Sequence, residues 1–111
     1  MTPEGRVKKS VSSYLTALDN HLTAHGQELY WHMEVPTGYG KRNSLDYTIC
    51  LAGHHIAIET QAPGEWLTAP QRLTCRNLYR AGATIFIISG VEGLDAFKRW
   101  VERHADRFLR S

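Results

Sequence analysis

The sequence predicts a small α/β domain with helices and strands in the order α-β-β-β-α-β-α. A long apolar stripe at helical spacing opens the chain, and two apolar runs joined by a tight turn occupy its middle. A continuous apolar run then follows a second helical segment. A length of 111 residues suits one hydrophobic core, so residues 1–111 are expected to form a single domain.

The first helix is predicted to begin at Thr2, whose side chain can cap it. Pro3 suits the first turn, and Glu4 complements the helix dipole. Gly26 ends the helix. Its apolar stripe consists of Val7, Val11, Tyr14, Leu15, Leu18 and Leu22.

Residues 29–35 are predicted to form a strand, because the segment contains alternating and aromatic residues. Residues 36–44 are predicted to form a loop, because they contain two glycines and two adjacent basic residues. The segments 45–51 and 54–61 then read as a β-hairpin, with Ala52-Gly53 as the connection.

The hairpin register decides which polar side chains meet. If Ala52-Gly53 is the turn, Leu51 pairs with His54 and Asp46 lies opposite Glu59 on the same face of the sheet. If the turn begins one residue later, Asp46 pairs with Gln61 and the shared face survives. Two adjacent carboxylates repel each other, and a folded protein tolerates them mainly when a cation lies between them. The hairpin therefore predicts a Mg²⁺ site.

After a loop over 62–67, Thr68 is predicted to cap the next helix, with Gln71 as its capping-box partner, and the helix extends to Gly82. The apolar run over 84–88 suits a strand buried on both faces and parallel to the second hairpin strand. A last helix is expected over about 94–109. Its apolar side consists of Phe97, Trp100, Val101 and Phe108.

Composition narrows the class of protein. Hydrophobic content of 42% and charged content of 22% are ordinary for a globular chain, and a net charge of +2 does not by itself indicate a nucleic-acid partner. Cys50 and Cys75 form no CxxC motif, so a reducing compartment is expected. No signal peptide or membrane-spanning run is expected, which favours a cytoplasmic protein. A histidine zinc site is disfavoured because the adjacent His54 and His55 point to opposite faces of a strand.

Six elements follow one another along most of the chain: Glu4, the strand with Trp31, the loop before Leu45-Asp46, Ile58-Glu59-Thr60-Gln61, Pro70-Gln71 and Arg80-Ala81-Gly82-Ala83. In their order and spacing they resemble the VRR-NUC domain, a branch of the PD-(D/E)XK nuclease superfamily. Two positions depart from the family pattern. Leu45 stands where proline is common, and Gln61 stands at the usual lysine position.

The resemblance implies a restriction-endonuclease-like core, with a mixed four-stranded sheet flanked by helices. It implies a Mg²⁺-dependent (or Mn²⁺-dependent) endonuclease acting on branched or structured DNA such as Holliday junctions. A homodimer, a phage origin and the absence of a nucleotide cofactor or membrane partner are also implied. Asp46, Glu59 and the Thr60 carbonyl would bind the metal, and Glu4 would complete the site through a water or a second metal. For Glu4 the alternative is simple dipole complementation.

Gln61 and Gln71 leave alternatives open. The family lysine orients the attacking water or stabilises developing charge; glutamine can hold a water but supplies no positive charge. The enzyme could function with glutamine, the chain could be a non-catalytic DNA-binding or assembly module, or Gln61 could be an engineered lysine replacement. Gln71 is expected to lie beside the metal and position Gln61 or a phosphate, or else only to cap its helix.

Basic residues supply a candidate DNA-binding surface. The predicted contacts with DNA are Lys8, Lys9, Lys41, Arg42, Arg72 and Arg76, with Arg80 continuing the last two as a helical stripe. A second stripe on the last helix consists of Arg99, Arg103, Arg107 and Arg110. Such a charged stripe is ordinarily a helix face exposed to solvent. Trp66 is the tryptophan that merits a test as a base-stacking residue, because its loop flanks the predicted site.

Overall fold

The computed structural model describes residues 1–34 and 44–105, which form three helices and a four-stranded sheet. The elements are α1 (Pro3–Ala24), β1 (Leu29–Met33), β2 (Tyr47–Leu51), β3 (His54–Thr60), α2 (Ala69–Arg80), β4 (Thr84–Ile88) and α3 (Val91–His104). The predicted α/β class and the predicted order of elements are both confirmed.

The sheet is mixed, as predicted. The strand order is β1-β2-β3-β4, with β1–β2 and β2–β3 antiparallel and β3–β4 parallel. α2 connects the parallel pair because parallel neighbours need a crossover. The sheet therefore brings the end of β3, next to Glu59, between the start of β2 and the end of β4.

The hairpin has the first of the two predicted registers. Leu51 pairs with His54, so Ala52 and Gly53 form the turn and the alternative register is wrong. Both turn residues have positive φ, 49° at Ala52 and 83° at Gly53. This left-handed conformation matches the twist of the flanking strands in tight hairpins. The register fixes Asp46 and Glu59 as the next opposed positions beyond the paired residues Tyr47 and Ile58.

α1 begins and ends where the sequence predicts. The Thr2 hydroxyl accepts a hydrogen bond from the Gly5 N–H at 3.0 Å, and Gly26 follows the helix with a φ of 82°. The buried stripe consists of Val7, Val11, Leu15, Leu18 and Leu22. α1 is also tied to the sheet, because the buried Tyr47 hydroxyl lies 2.6 Å from the Ser12 hydroxyl and donates to the Lys8 carbonyl at 2.9 Å.

The hydrophobic core lies between α1, α3 and one face of the sheet. Its buried strand residues are Leu29, Tyr47, Ile49, Leu51, Ile56, Ile58 and Ile88, and α3 adds Phe97, Trp100 and Val101. The opposite face of the sheet carries the polar residues near the end of β3. Among the described helices, none combines the length and apolar character that a membrane span requires.

Two predictions about the second half are wrong in detail. β4 is not buried on both faces: Ile88 is buried in the core, whereas Ile87 is 41% exposed. β4 lies at one end of the described sheet, and α2 beside it has no fully buried residue. α3 begins at Val91 rather than near Leu94, because the extended Gly90 serves as an N-cap without a capping side chain. The part of the predicted helix over 106–109 lies outside the described residues.

Candidate functional site

Two carboxylates from neighbouring strands are buried together at the open end of the hairpin. Asp46 immediately precedes β2 and Glu59 is the penultimate residue of β3; they are 2% and 1% exposed. The Asp46 N–H donates to Glu59 Oε1 at 3.1 Å, and the Thr60 N–H donates to Asp46 Oδ2 at 2.9 Å. Each carboxylate thus accepts a backbone hydrogen bond from the other strand, which holds both groups at one place.

The Thr60 hydroxyl is a member of this site that sequence reasoning missed. It donates to Asp46 Oδ2 at 2.6 Å, and Thr60 itself is completely buried. The sequence assigned Thr60 only a carbonyl role, implied by the resemblance. The hydroxyl contact depends on how the chain bends at Asp46 before β2, which side-chain alternation along a strand does not encode.

Gln71 caps its helix, as one of the two predicted roles requires, and its side chain also reaches the carboxylate pair. Its Oε1 accepts from the Thr68 N–H at 2.8 Å, and the Gln71 N–H donates to the Thr68 hydroxyl, so the capping box is complete. Its Nε2 donates to Glu59 Oε2 at 2.6 Å. One amide therefore joins the N-terminus of α2 to the Glu59 carboxylate.

Gln61 lies beside the same carboxylate but is held less tightly. Its side-chain Nε2 is 3.4 Å from both Glu59 Oε2 and Gln71 Oε1, close to the limit for a hydrogen bond. The Gln61 backbone N–H donates to the Ile88 carbonyl at 3.0 Å, which anchors the residue to β4. The three predicted residues Glu59, Gln61 and Gln71 therefore lie together, and the side-chain amides of the two glutamines face the Glu59 carboxylate.

The negative charge of the carboxylate pair affects the pKa of one residue on α2 and one on β2. Burial raises the pKa of the Cys75 thiol on α2, and the Glu59 carboxylate raises that pKa further. Burial also raises the pKa of the Tyr47 phenol; the Ser12 hydrogen bond lowers it, and the Asp46 carboxylate raises it. Both effects have the sign expected for a concentrated negative potential, which favours cations.

The donor set fits a hard cation better than zinc. Carboxylate and carbonyl oxygens are the ligands that Mg²⁺, Ca²⁺ and Mn²⁺ take, and Asp46, Glu59 and Thr60 offer only oxygens. Within residues 1–34 and 44–105, no three His, Cys, Asp or Glu side chains are arranged to hold one ion. Among the described residues Glu4 forms no three-ligand group with the pair. Its side chain is partly exposed, and one of its carboxylate oxygens lies 3.8 Å from the Lys8 ammonium.

The predicted DNA-binding residues have different environments. Lys9 and Arg76 are exposed, while Lys8 is partly buried beside Glu4. Arg72 is exposed, but its Nη1 donates to the Leu67 carbonyl at 2.6 Å, which ties the guanidinium to the loop before α2. Lys41 and Arg42 lie outside the described residues, as do Arg107 and Arg110 of the second stripe.

Three rings form a cluster away from the site that the sequence did not indicate. The His104 ring stacks on Trp100 at 4.0 Å, and the His54 ring meets both at 5.1 Å. The adjacent His55 is exposed, in agreement with the prediction that the two neighbouring histidines do not share a face.

Comparison with known proteins found no protein-family model that matches the chain and no matching curated protein. Any function must therefore be inferred from the geometry of Asp46, Glu59, Thr60, Gln61 and Gln71.

Proposed function

We propose that this protein is a Mg²⁺-dependent, structure-selective DNA endonuclease with a restriction-endonuclease-like core. The observation that carries the proposal is the pair of buried carboxylates, Asp46 and Glu59, held together by reciprocal hydrogen bonds between neighbouring strands. Burying two carboxylates side by side is costly unless a cation or hydrogen bonds compensate their charge. Ionisable groups that interact while buried in this way are candidates for a functional site.

Asp46 and Glu59 would hold the ion, with the Thr60 carbonyl as a backbone ligand. When bound, Mg²⁺ would lower the pKa of a water that it binds and would stabilise charge on a phosphate. The residues of the chain supply orientation. Thr60 donates two hydrogen bonds to one oxygen of Asp46, and Gln71 donates to one oxygen of Glu59, so both carboxylates are fixed before any ligand arrives.

Gln61 would hold the attacking water in this proposal. Its amide can donate to and accept from a water, although it brings no positive charge to the phosphate. Loss of one charge-stabilising donor costs on the order of 10²–10³ in rate, so slow cleavage is expected from the chain as it stands. Glu4, paired with Lys8 at the start of α1, is assigned only the role of complementing the helix dipole.

DNA is the proposed substrate because the candidate site adjoins basic residues. Arg72 and Arg76 lie on α2, whose N-terminus is bonded to Glu59 through Gln71. Cations on this helix would track a phosphate backbone without reading sequence. One chain offers one such site, so cleaving both strands of a junction requires two copies related by a two-fold axis. A homodimer is therefore part of the proposal.

The neutral side chain at Gln61 favours a second candidate function, a non-catalytic DNA-binding module. In that case Asp46 and Glu59 would persist as a buried polar network, and binding would depend on salt but not on metal. Asp46→Ala would then leave DNA binding unchanged or tighter.

The test compares cleavage of a four-way junction, a flap and a single strand in Mg²⁺, in Mn²⁺ and in a chelator. The parent chain, Asp46→Asn, Gln61→Lys and the exposed control Glu28→Gln are assayed in parallel. We expect metal-dependent cleavage that Asp46→Asn abolishes, that Gln61→Lys raises by about 10²–10³, and that Glu28→Gln leaves unchanged. An absence of cleavage by both the parent chain and Gln61→Lys, with DNA binding retained, would favour the binding module.

A further inference from the structure

Trp66 is the most exposed large apolar side chain among the described residues, with 89% of its surface accessible. The other two tryptophans contribute to packing: Trp100 is buried in the core and Trp31 is partly buried against it. Tryptophan carries the largest apolar surface of any side chain and is rarely left in water. The indole of Trp66 is therefore available to a partner in a way that the other two are not.

The loop that carries Trp66 is held at both ends. Gly64 adopts a φ of 84°, and the Glu65 N–H closes a turn on the Ala62 carbonyl at 3.1 Å. On the other side, Arg72 Nη1 donates to the Leu67 carbonyl at 2.6 Å. These bonds restrain the backbone on both sides of Trp66 while its ring stays exposed, so covering the ring costs side-chain freedom but little backbone freedom.

The same loop brings Trp66 close to the paired carboxylates. Thr68 is two residues further on, which corresponds to at most about 7 Å of chain. The Thr68 N–H contacts Gln71 Oε1 at 2.8 Å, and Gln71 Nε2 contacts Glu59 Oε2 at 2.6 Å. The Trp66 backbone is thus within about 15 Å of Glu59, which corresponds to roughly four stacked nucleotides at about 3.4 Å each.

We propose that Trp66 is a stacking platform for an unpaired nucleobase close to the phosphate bound at the carboxylate pair. This inference rests on the proposed nuclease function and names its substrate class. A base inside a perfect duplex is already stacked on both faces, whereas a base at a fork, flap or gap offers a free face. Indole–base stacking tolerates any sequence. Trp66 therefore selects DNA by the presence of unpaired nucleotides rather than by base identity.

The test measures binding of two labelled DNAs of equal length, a perfect duplex and a fork with an unpaired arm, in Ca²⁺ so that cleavage does not interfere. The variants are Trp66→Ala, Trp66→Phe and the control Tyr79→Ala, which removes another exposed aromatic ring from α2. Trp66→Ala is expected to weaken fork binding by about 5- to 150-fold, leaving duplex binding unchanged. Trp66→Phe keeps most of the affinity, and Tyr79→Ala has no effect. Because Trp66 is exposed, thermal unfolding should be the same for all four proteins.

Three results overturn the inference: unchanged fork binding by Trp66→Ala, an equal loss on duplex and fork, or a change from dimer to monomer by light scattering. The last would assign the ring to contact with a second copy. The nuclease proposal is judged separately by the Asp46→Asn cleavage assay. Fork binding that depends on Trp66, without metal-dependent cleavage, supports the stacking platform and refutes the nuclease activity. Cleavage that depends on Asp46, with fork binding unchanged in Trp66→Ala, supports the nuclease activity and refutes the stacking platform.

Discussion

Replacing Thr60 by valine tests whether the hydroxyl of a buried strand residue holds Asp46 in place. Valine keeps the β-branched shape and the backbone N–H, so the hydrogen bond from that N–H to Asp46 Oδ2 survives. The substitution removes only the 2.6 Å bond from the hydroxyl. The aspartate is then left in a buried environment with one fewer donor, and no room is created for water because Thr60 is completely buried.

The size of the effect follows from the charge and burial of the acceptor. Hydrogen bonds to charged groups contribute about 1.5–3 kcal/mol, and removing a donor from a buried acceptor adds its desolvation. Thr60→Val should therefore lower the free energy of unfolding by about 1.5–3 kcal/mol. For a chain of 111 residues this corresponds to a fall in Tm of roughly 6–12 °C.

The assay is urea unfolding followed by circular dichroism, with Mg²⁺ titration by calorimetry on the same proteins. Thr48→Val serves as the matched control, since it makes the same chemical change at a half-buried position of β2. It should change stability by less than about 0.5 kcal/mol. Thr60→Ser restores the donor and should recover most of the stability and of the Mg²⁺ affinity. Equal stability of Thr60→Val and the parent chain, or equal losses in the serine and valine variants, would refute the positioning role.

Four further variants test the surrounding structure. Gln71→Ala should cost about 1.5–3 kcal/mol in urea unfolding, because its amide donates to Glu59 at 2.6 Å. Gln61→Ala, which removes a 3.4 Å contact, should cost less than about 1 kcal/mol, and a reversed order would contradict the bonding described. Gly93→Ala should destabilise by up to about 2 kcal/mol, because its new Cβ would lie 3.2 Å from two backbone atoms, the Ile87 carbonyl oxygen and the Ile88 Cα, and the cost of this crowding exceeds the gain in helix propensity of up to about 1 kcal/mol. A variant as stable as the parent chain or more stable would show that α3 moves away from β4 without cost. Burial raises the pKa of Tyr14 from 10.0 to about 12, so the neutral phenol is favoured in the fold and its stabilisation is lost as the pH rises between those values. Tyr14→Phe should therefore lose less stability than the parent chain between pH 10 and 12, and parallel pH curves would remove Tyr14 as a cause.

The sequence predicts the fold well where one local signal decides the outcome. The apolar stripe of α1, the two-residue turn at Ala52-Gly53 and the capping box of Thr68 and Gln71 are all present as expected. Each depends on residues within a few positions of one another, where spacing and turn chemistry act directly. Because the turn fixes the hairpin register, the pairing of Asp46 with Glu59 could also be predicted.

Prediction failed where the deciding contact is distant in sequence. A continuous apolar run does not distinguish a strand buried on both faces from one at the end of a sheet, so the exposure of Ile87 was not foreseen. α3 begins at Val91 after the N-cap Gly90, which has no side chain that could have indicated a helix start. Likewise, the contact of the Thr60 hydroxyl with Asp46 joins residues 14 positions apart and depends on the path of the backbone before β2.

Gln71 gives the site a property that no single contact has. Its one amide completes the cap of α2 and holds a buried carboxylate oxygen, so the position of α2 and the position of Glu59 cannot change independently. The loop with Trp66 ends at the same cap, and Arg72 on α2 is bonded to that loop. Glu59 is therefore connected to the loop that carries Trp66 through about 15 Å of these bonds. If a hard cation at the carboxylates favours stacking of an unpaired base on the indole, the base must favour binding of the cation by the same factor, because linkage is reciprocal. A fork should raise the apparent Mg²⁺ affinity more than a duplex does. Gln71→Ala should remove that difference while Mg²⁺ and fork DNA each still bind.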